Sequence, residues 1–219
     1  MSLYRKIILI IALAASSAIY AKNDTTITQS APPLGQDLYD SYPWALLYYY
    51  GWTLSDPLWR VFTGDTHRWP EHIQSVELAK TLDKDNVVRQ FFSPIVGVVQ
   101  LAGNITLRQG KNQDPIYEFD PYISFRWANW PWNHYLTTSA AIGEGVSYAT
   151  AVPNEELRNN KDTRRLLNYL MLEATFALPS HPELQLVGRI HHRSGAFGLY
   201  RAGNTGSNDV GVGIRYLFD

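Results

Sequence analysis

Hydrophobic and polar residues alternate along much of the chain after about residue 40. In residues 117–127 the odd positions are mainly apolar or aromatic, while the even positions include Glu, Asp, Ser and Arg. Residues 95–107 and 184–190 follow the same alternation. A period of two predicts β-strands with one apolar and one polar face. Eight strands are predicted, over residues 44–53, 73–82, 95–108, 117–127, 134–149, 165–178, 184–194 and 208–218.

The lengths of these strands and of their connections separate two classes of β protein. The apolar face would form the core of a sandwich or of a soluble barrel, but would contact lipid in a membrane barrel. Several predicted strands have ten or more residues, which is the length of a tilted membrane strand. The predicted outer connections are residues 54–72, 109–116, 150–164 and 195–207, and the inner ones are residues 83–94, 128–133 and 179–183.

The outer connections are mostly longer than the inner ones, as in outer-membrane barrels. The fold class predicted is therefore all-β, an eight-stranded antiparallel transmembrane β-barrel of the outer-membrane type. A secreted sandwich and a soluble lipocalin-like barrel are the less favoured alternatives. Within the first inner connection, residues 85–93 are compatible with a short helical turn.

The first residues have the composition of a secretory signal peptide, predicted over residues 1–21. Residues 5–15 combine two basic residues with an apolar stretch too short to span a bilayer. Cleavage after Ala18 and cleavage after Ala21 both fit the small residues that follow. Export together with a barrel fold predicts the bacterial outer membrane as the location.

The remaining chain is expected to form one domain. Residues 22–40 are polar and contain Pro and Gly, so that a flexible lead-in is predicted there. Residues 41–219 are assigned to the barrel domain.

Composition excludes several function classes. The absence of cysteine excludes a disulfide framework, a thiolate metal site and a cysteine nucleophile. A net charge of −1 provides no basic surface for nucleic acid. Aromatic residues make up 13% of the chain, as the aromatic girdles of a membrane barrel require. The sequence shows no phosphate-binding loop and no His/carboxylate cluster with metal-ligand spacing, so no cofactor and no metal are expected.

Two polar residues interrupt the lipid-facing side of the seventh predicted strand. Leu186 and Ile190 set the outward parity of this strand. His192 and Ser194 continue the same face, two positions apart. Polar groups exposed to lipid are costly, which favours a functional explanation. A serine needs a base to act as a nucleophile, and histidine is the usual one. The structural alternative is a rim His and Ser hydrogen-bonded to loop backbone.

A base of this kind also needs a partner for its second ring nitrogen. If Phe218 faces lipid, strict alternation places Asn208 on the same face at the outer end of the eighth strand. Asp209 would orient a histidine more strongly, but points inward unless a bulge near the rim reverses the parity. Asn208 is the preferred partner of His192, and Asp209 is kept as the alternative.

The run Arg-Ile-His-His-Arg-Ser-Gly over residues 189–195, a Gly/Asn-rich loop, and Ser-Asn-Asp over residues 207–209 resemble the outer-membrane lipid A 3-O-deacylase family. The residue-level resemblance covers about residues 184–218. It implies an acyloxyacyl hydrolase-like, eight-stranded barrel with a Ser-His-acid triad on its lipid-facing exterior. It also implies hydrolysis of the ester-linked 3-hydroxyacyl chain at position 3 of lipid A.

The resemblance implies a role for each site residue. Ser194 would be the nucleophile and His192 the base, with Asn208 or Asp209 at the position of the acidic member. This sequence has Gly195 where the family usually has Asn, and the residue that orients the base is typically Glu in the family. The partners implied are lipid A or lipopolysaccharide and other outer-membrane lipids, with a homodimer also considered.

The expected mechanism proceeds through an acyl-enzyme without a metal. Backbone N–H groups of Gly195 and Ala196 are candidate oxyanion donors, and the side chain of Asn204 is a weaker one. Arg189 and Arg193 are expected to face the lumen, with Glu173 as a candidate partner; contact with lipid A phosphates is the alternative. A non-enzymatic structural or adhesin-like barrel and a lipid A acyltransferase remain alternative functions.

Overall fold

The computed structural model describes residues 32–159, 162–203 and 205–219. Within them, eight antiparallel strands close into a barrel in which consecutive strands pair and β8 returns to pair with β1. The strands are β1 (Trp44–Leu54), β2 (Arg68–Thr81), β3 (Val98–Gly110), β4 (Gln113–Trp127), β5 (Thr137–Ala149), β6 (Leu166–Ala177), β7 (Leu184–Ser194) and β8 (Gly206–Phe218). The predicted fold class is confirmed.

The strand bounds differ most from the prediction at the outer end of the barrel. β2 begins at Arg68 and not at residue 73, and β3 and β4 extend until only two residues separate them. The predicted outer loop over residues 109–116 is therefore wrong. A tight turn replaces it, in which Asn112 adopts a φ of 59°. Asparagine tolerates this left-handed conformation better than most residues, which explains how the hairpin closes so tightly.

The two faces of the barrel wall have opposite polarity. From residue 116 onward, the even-numbered residues of β4, among them Glu118 and Arg126, are buried in the lumen, while Phe119 and Trp127 face outward. Large apolar side chains are exposed on the outside of all the other strands, including Leu46, Val76, Leu78, Leu101, Ile105, Ile142, Phe176, Leu186, Val212 and Ile214. An apolar band of this extent requires lipid around it and not water. The protein is accordingly a bacterial outer-membrane barrel.

Short helices occupy the ends of the barrel. Those in the described ranges are α1 (Gln36–Ser41), α2 (Leu58–Thr63), α3 (Val87–Phe92) and α4 (Asn154–Asn159), with one 3₁₀ turn at Ala196–Gly198. α3 confirms the helical turn predicted within residues 85–93. No helix in the described ranges is long and apolar enough to cross a membrane.

Helix α1 differs from the flexible lead-in predicted over residues 22–40. Its Leu38 and Tyr39 are buried and pack with apolar residues at the inner end of the barrel, such as Ala45 and Val98. The Tyr39 hydroxyl lies 3.0 Å from the Ser139 hydroxyl. Burial of two large side chains orders this segment, although its surroundings in the sequence are polar. Residues 1–31, with the predicted signal peptide and the start of the lead-in, lie outside the described residues.

The inner half of the lumen holds an ion-pair network. Its members are two carboxylates and three guanidinium groups, those of Glu77, Glu173, Arg126, Arg189 and Arg215. Glu173 accepts hydrogen bonds from all three arginines. The predicted pairing of Arg189 with Glu173 is present.

A second network fills the outer half of the lumen. Arg108 donates to Glu118 at 2.6 Å and to Asp209 at 2.7 Å. Arg193 is fully buried and donates to Glu156 at 2.9 Å, and not to the carboxylate predicted for it. The alternative contact of Arg193 with lipid A phosphates is therefore incompatible with the structure.

Candidate functional site

The candidate site lies on the outside of the barrel at the outer end of β7. His192 and Ser194 are partly exposed there, whereas His191 and Arg193, which alternate with them, are fully buried in the lumen. β7 runs without a bulge along both of its neighbours in this region. Regular alternation therefore accounts for the outward position of both polar side chains.

His192 and Asn208 face each other across the β7–β8 ladder. His192 Nδ1 lies 2.7 Å from Asn208 Oδ1. Asn208 Nδ2 donates to the backbone carbonyl of Asp56 at 2.8 Å, and this contact assigns the orientation of the amide. Since Oδ1 can only accept, His192 Nδ1 carries the proton, and Nε2 is left as the basic nitrogen.

The carbonyl that fixes Asn208 belongs to a well-anchored connection. The Asp56 carboxylate accepts a hydrogen bond from the His67 backbone N–H at 2.6 Å and another from Arg60 at 3.1 Å. The His67 N–H is the main cause of a lowered pKa at Asp56, which keeps the carboxylate ionised. The β1–β2 connection thus holds Asp56 in place, and the carbonyl of Asp56 fixes the orientation of Asn208 behind the base.

Asp209, the alternative partner of the base, lies on the other side of the sheet. It is fully buried in the lumen, where it accepts hydrogen bonds from Thr53 and Arg108. The ladder pairs Asp209 with His191 and Asn208 with His192, so that no bulge reverses the parity. Of the two candidates, the structure brings only Asn208 to His192.

Ser194 faces the same groove as His192 and Asn208. In the described part of the chain, its hydroxyl has no hydrogen-bond partner, and His192 is not bonded to it either. Side chains two positions apart on one strand face are neighbours, so rotation of the Ser194 hydroxyl changes its distance from Nε2. Bonds of this kind commonly tighten only when substrate is bound.

The three predicted oxyanion donors differ in their surroundings. The Gly195 N–H already donates to the Thr205 carbonyl at 3.0 Å and is not a free donor. Ala196 lines the groove with a φ of 44°, and no described residue accepts from its N–H. Asn204 lies outside the described residues. Of the two candidates that the structure describes, Ala196 is the one with a free N–H donor.

Close packing of the loop explains why glycine follows Ser194. A Cβ atom added to Gly195 would lie 2.5 Å from the Gly203 carbonyl oxygen and 2.9 Å from that of Ala202. The φ of Gly195 is −72°, which any residue adopts, so the constraint is the close approach of backbone and not conformational freedom. An asparagine at this position would displace the loop.

The groove is large and has walls of different polarity. Its volume is about 1270 Å³. Leu58, Leu170, Phe197 and Leu199 contribute apolar surface, and Phe197 is fully exposed. His192, Ser194 and Asn208 supply polar groups. The groove can thus accommodate a molecule with long apolar chains next to a polar centre.

Two polar residues that the strands contribute to the groove were missed by the sequence analysis. Glu144 on β5 is exposed on the outer face, and Asn168 on β6 pairs with Ser194 in the ladder. Glu144 is separated from His192 by one strand, through Leu170. The sequence signal for Glu144 was that it interrupts the row of outward-facing apolar residues in β5 that includes Ile142 and Tyr148.

A group of residues with side chains that can bind a metal ion lies inside the barrel. Glu118 and Asp120 of β4 and His191 of β7 each offer a ligand atom, and these atoms all lie within 4.8 Å of one another. The sequence spacing predicted no metal site, because about 70 residues separate the histidine from the carboxylates. Closure of the barrel brings them together.

Comparisons with known proteins show similarity at the level of structure. No family model matches the chain, and no curated protein matches it in sequence. The crystal structure of the outer membrane enzyme PagL is similar with a TM-score of 0.47 and 13% identity, covering 78% of this chain and 98% of that one. That of Neisserial surface protein A (NspA) has a TM-score of 0.46 and 8% identity, covering 80% of this chain and 96% of that one.

Proposed function

We propose that the protein is an outer-membrane esterase that removes an ester-linked 3-hydroxyacyl chain from lipid A. The observation that carries this proposal is the chain of hydrogen bonds that links the Asp56 carbonyl, Asn208 and His192. This chain ends beside Ser194 on the lipid-facing surface. A structural role would not require a histidine oriented in this way at the edge of a lipid-sized groove.

The reaction begins with proton transfer. His192 Nε2 takes the proton of the Ser194 hydroxyl as Oγ attacks the ester carbonyl carbon of the substrate. The carbonyl oxygen becomes an oxyanion, for which the Ala196 N–H is the proposed donor. Collapse of this intermediate breaks the bond to the sugar oxygen, which leaves with the proton from His192. Water activated by the same nitrogen then hydrolyses the acyl-enzyme and releases the fatty acid.

Asn208 orients the base but adds no charge to it. A carboxylate at this position would also stabilise the imidazolium that forms during the reaction. The amide instead secures one tautomer, because its own orientation is held by the Asp56 carbonyl. We infer that binding of the substrate and orientation of His192 contribute more to catalysis than electrostatic stabilisation of the imidazolium.

The position of the groove suits the ester of a lipid in the outer leaflet. Strands β7 and β8 present Leu186 and Ile214 to lipid further inward, so acyl chains would lie along this surface. Phe197 and Leu199 extend the apolar wall beyond the strands. The ester of lipid A, between sugar and hydrocarbon, would lie at the level of Ser194.

Mass spectrometry of lipid A from cells expressing the protein tests the proposal. We expect the loss of one 3-hydroxyacyl chain with the wild type, and no loss with Ser194→Ala or His192→Ala. His181→Ala is the matched control, since His181 is exposed at the opposite end of the barrel. It should remain as active as the wild type.

Other outcomes correspond to the other candidate functions. An increase in mass by one acyl chain would identify an acyltransferase. An unchanged spectrum with a correctly folded, membrane-inserted wild type would contradict the esterase and favour a structural or adhesin-like barrel. Folding is checked independently by the heat-dependent electrophoretic mobility of the barrel.

A further inference from the structure

The cluster of Glu118, Asp120 and His191 in the outer lumen is left unused by the proposed reaction. All three residues are fully buried. Within residues 32–159, 162–203 and 205–219, four of their polar atoms have no hydrogen-bond partner, namely Glu118 Oε2, Asp120 Oδ1 and both ring nitrogens of His191. His191 Nε2 and Glu118 Oε2 are 3.2 Å apart and form an ion pair only if the imidazole is protonated. Buried acceptors without donors are costly, and with a neutral imidazole these four atoms have no cation beside them among the described residues.

The balance of charge in this half of the lumen points in the same direction. Five buried carboxylates surround two guanidinium groups, those of Glu71, Glu118, Asp120, Glu156 and Asp209 around Arg108 and Arg193. The inner half of the lumen has the opposite balance, with two carboxylates and three arginines. Among the described residues, Asp120 forms no ion pair with Lys or Arg. The shortage of positive charge is thus local to the cluster.

We propose that Glu118, Asp120 and His191 bind a divalent transition-metal ion of the Zn²⁺ type inside the barrel. One imidazole nitrogen and two carboxylate oxygens are a donor set that suits Zn²⁺. Ca²⁺ and Mg²⁺ prefer oxygen ligands throughout. Glu118 fits this role, because Arg108 occupies its Oε1 and leaves Oε2 available.

A fourth donor is available on the neighbouring strand. Asn104 is the ladder partner of Asp120 and faces the same lumen. Its Nδ2 donates to the Tyr169 hydroxyl at 2.9 Å, whereas its Oδ1 has no partner in the part of the chain that the structure describes. This amide oxygen extends the set of unpartnered acceptors to a third strand, and water can complete the coordination.

The ion has a structural role in this proposal. It would join β4 to β7 across the lumen and hold His191, whose neighbour in the chain is His192. Binding to the folded barrel alone stabilises it, and the stabilisation grows with metal concentration. The esterase reaction needs no metal, so the two proposals can fail separately.

The test uses the purified full barrel in detergent, treated with chelator and dialysed. Isothermal titration with Zn²⁺ should show one site per chain, and the unfolding temperature should rise with Zn²⁺ concentration. Co²⁺ should give visible absorption bands typical of tetrahedral coordination. The absence of Zn²⁺ binding by folded wild type would overturn the proposal.

Variants identify the ligands. His191→Gln and Asp120→Asn should each weaken Zn²⁺ binding at least tenfold, while heat-dependent mobility shows that they still fold. His181→Ala is the matched control, because the exposed His181–Glu183 pair is the main rival site. Binding lost in His181→Ala and retained in His191→Gln would show an adventitious surface ion and would contradict the luminal site. Wild-type titration decides the question even if a luminal variant fails to fold.

Discussion

Two adjacent residues of β8 have opposite environments, and this difference determines their roles. Asn208 contacts His192 on the lipid side, while Asp209 contacts Arg108 on the lumen side. Strict alternation was enough to prefer Asn208 from the sequence. The sequence could not show the carbonyl of Asp56 behind Asn208, because that contact joins residues 152 positions apart.

Replacement of Asn208 tests its role as the orienting residue. In Asn208→Ala, the protonated Nδ1 loses its acceptor and the tautomer is no longer fixed, so we expect lipid A deacylation to fall by roughly 100-fold or more. Ester binding should change less than turnover, because Asn208 acts through His192. Turnover and KM are measured on lipid A in mixed micelles.

Asp209→Asn is the matched control for this variant. It alters the luminal network around Arg108, and we expect a lower unfolding temperature with unchanged turnover per folded molecule. Equal losses of turnover in both variants would contradict the assignment of Asn208 as the orienting residue.

At the scale of elements, strand periodicity predicted the barrel well and the short helices less well. Long alternating runs such as β4 contain many residues that agree on one period, which makes their prediction robust. A six-residue helix such as α1 contains less than two turns, too few to reveal a helical period. The polar composition around α1 predicted flexibility, whereas two buried side chains determine its structure.

The contribution of α1 to stability can be measured with Leu38→Ala. Leu38 is fully buried among apolar residues, and its truncation leaves a cavity. We expect a decrease in the free energy of unfolding of about 2–5 kcal/mol, measured by urea titration in detergent. Val87→Ala on the exposed surface of α3 is the control and should change it little. Equal stability of both variants would mean that α1 does not support the barrel.

At the scale of the whole molecule, closure of the sheet creates sites that no local pattern contains. The sequence predicted that charged residues line the lumen, but not how they pair across it. Arg193 illustrates the difference, since its partner Glu156 comes from a connection and not from a strand. The luminal cluster of Glu118, Asp120 and His191 has the same origin.

Removal of one member of the inner network should destabilise the whole barrel, because it leaves buried charge without a partner. Glu173→Gln removes the charge shared by three buried arginines, and leaves a surplus of buried positive charge. We expect roughly 3–5 kcal/mol of destabilisation, measured as above. Glu144→Gln, an exposed change of the same type, is the control for stability. If both variants unfold alike, the luminal pairs contribute no more than a surface charge.

The period of two in β7 has a consequence for sequence change. His191 and His192 lie on opposite sides of a wall one backbone thick. Deletion of one residue before them would move each histidine to the other side and would expose a luminal arginine to lipid. Deletion of two residues would keep each side chain on its original side of the barrel wall and would change only its depth in the membrane. In β7, deletion of an even number of residues is therefore tolerated better than deletion of an odd number. Loss of one residue is more damaging than loss of two.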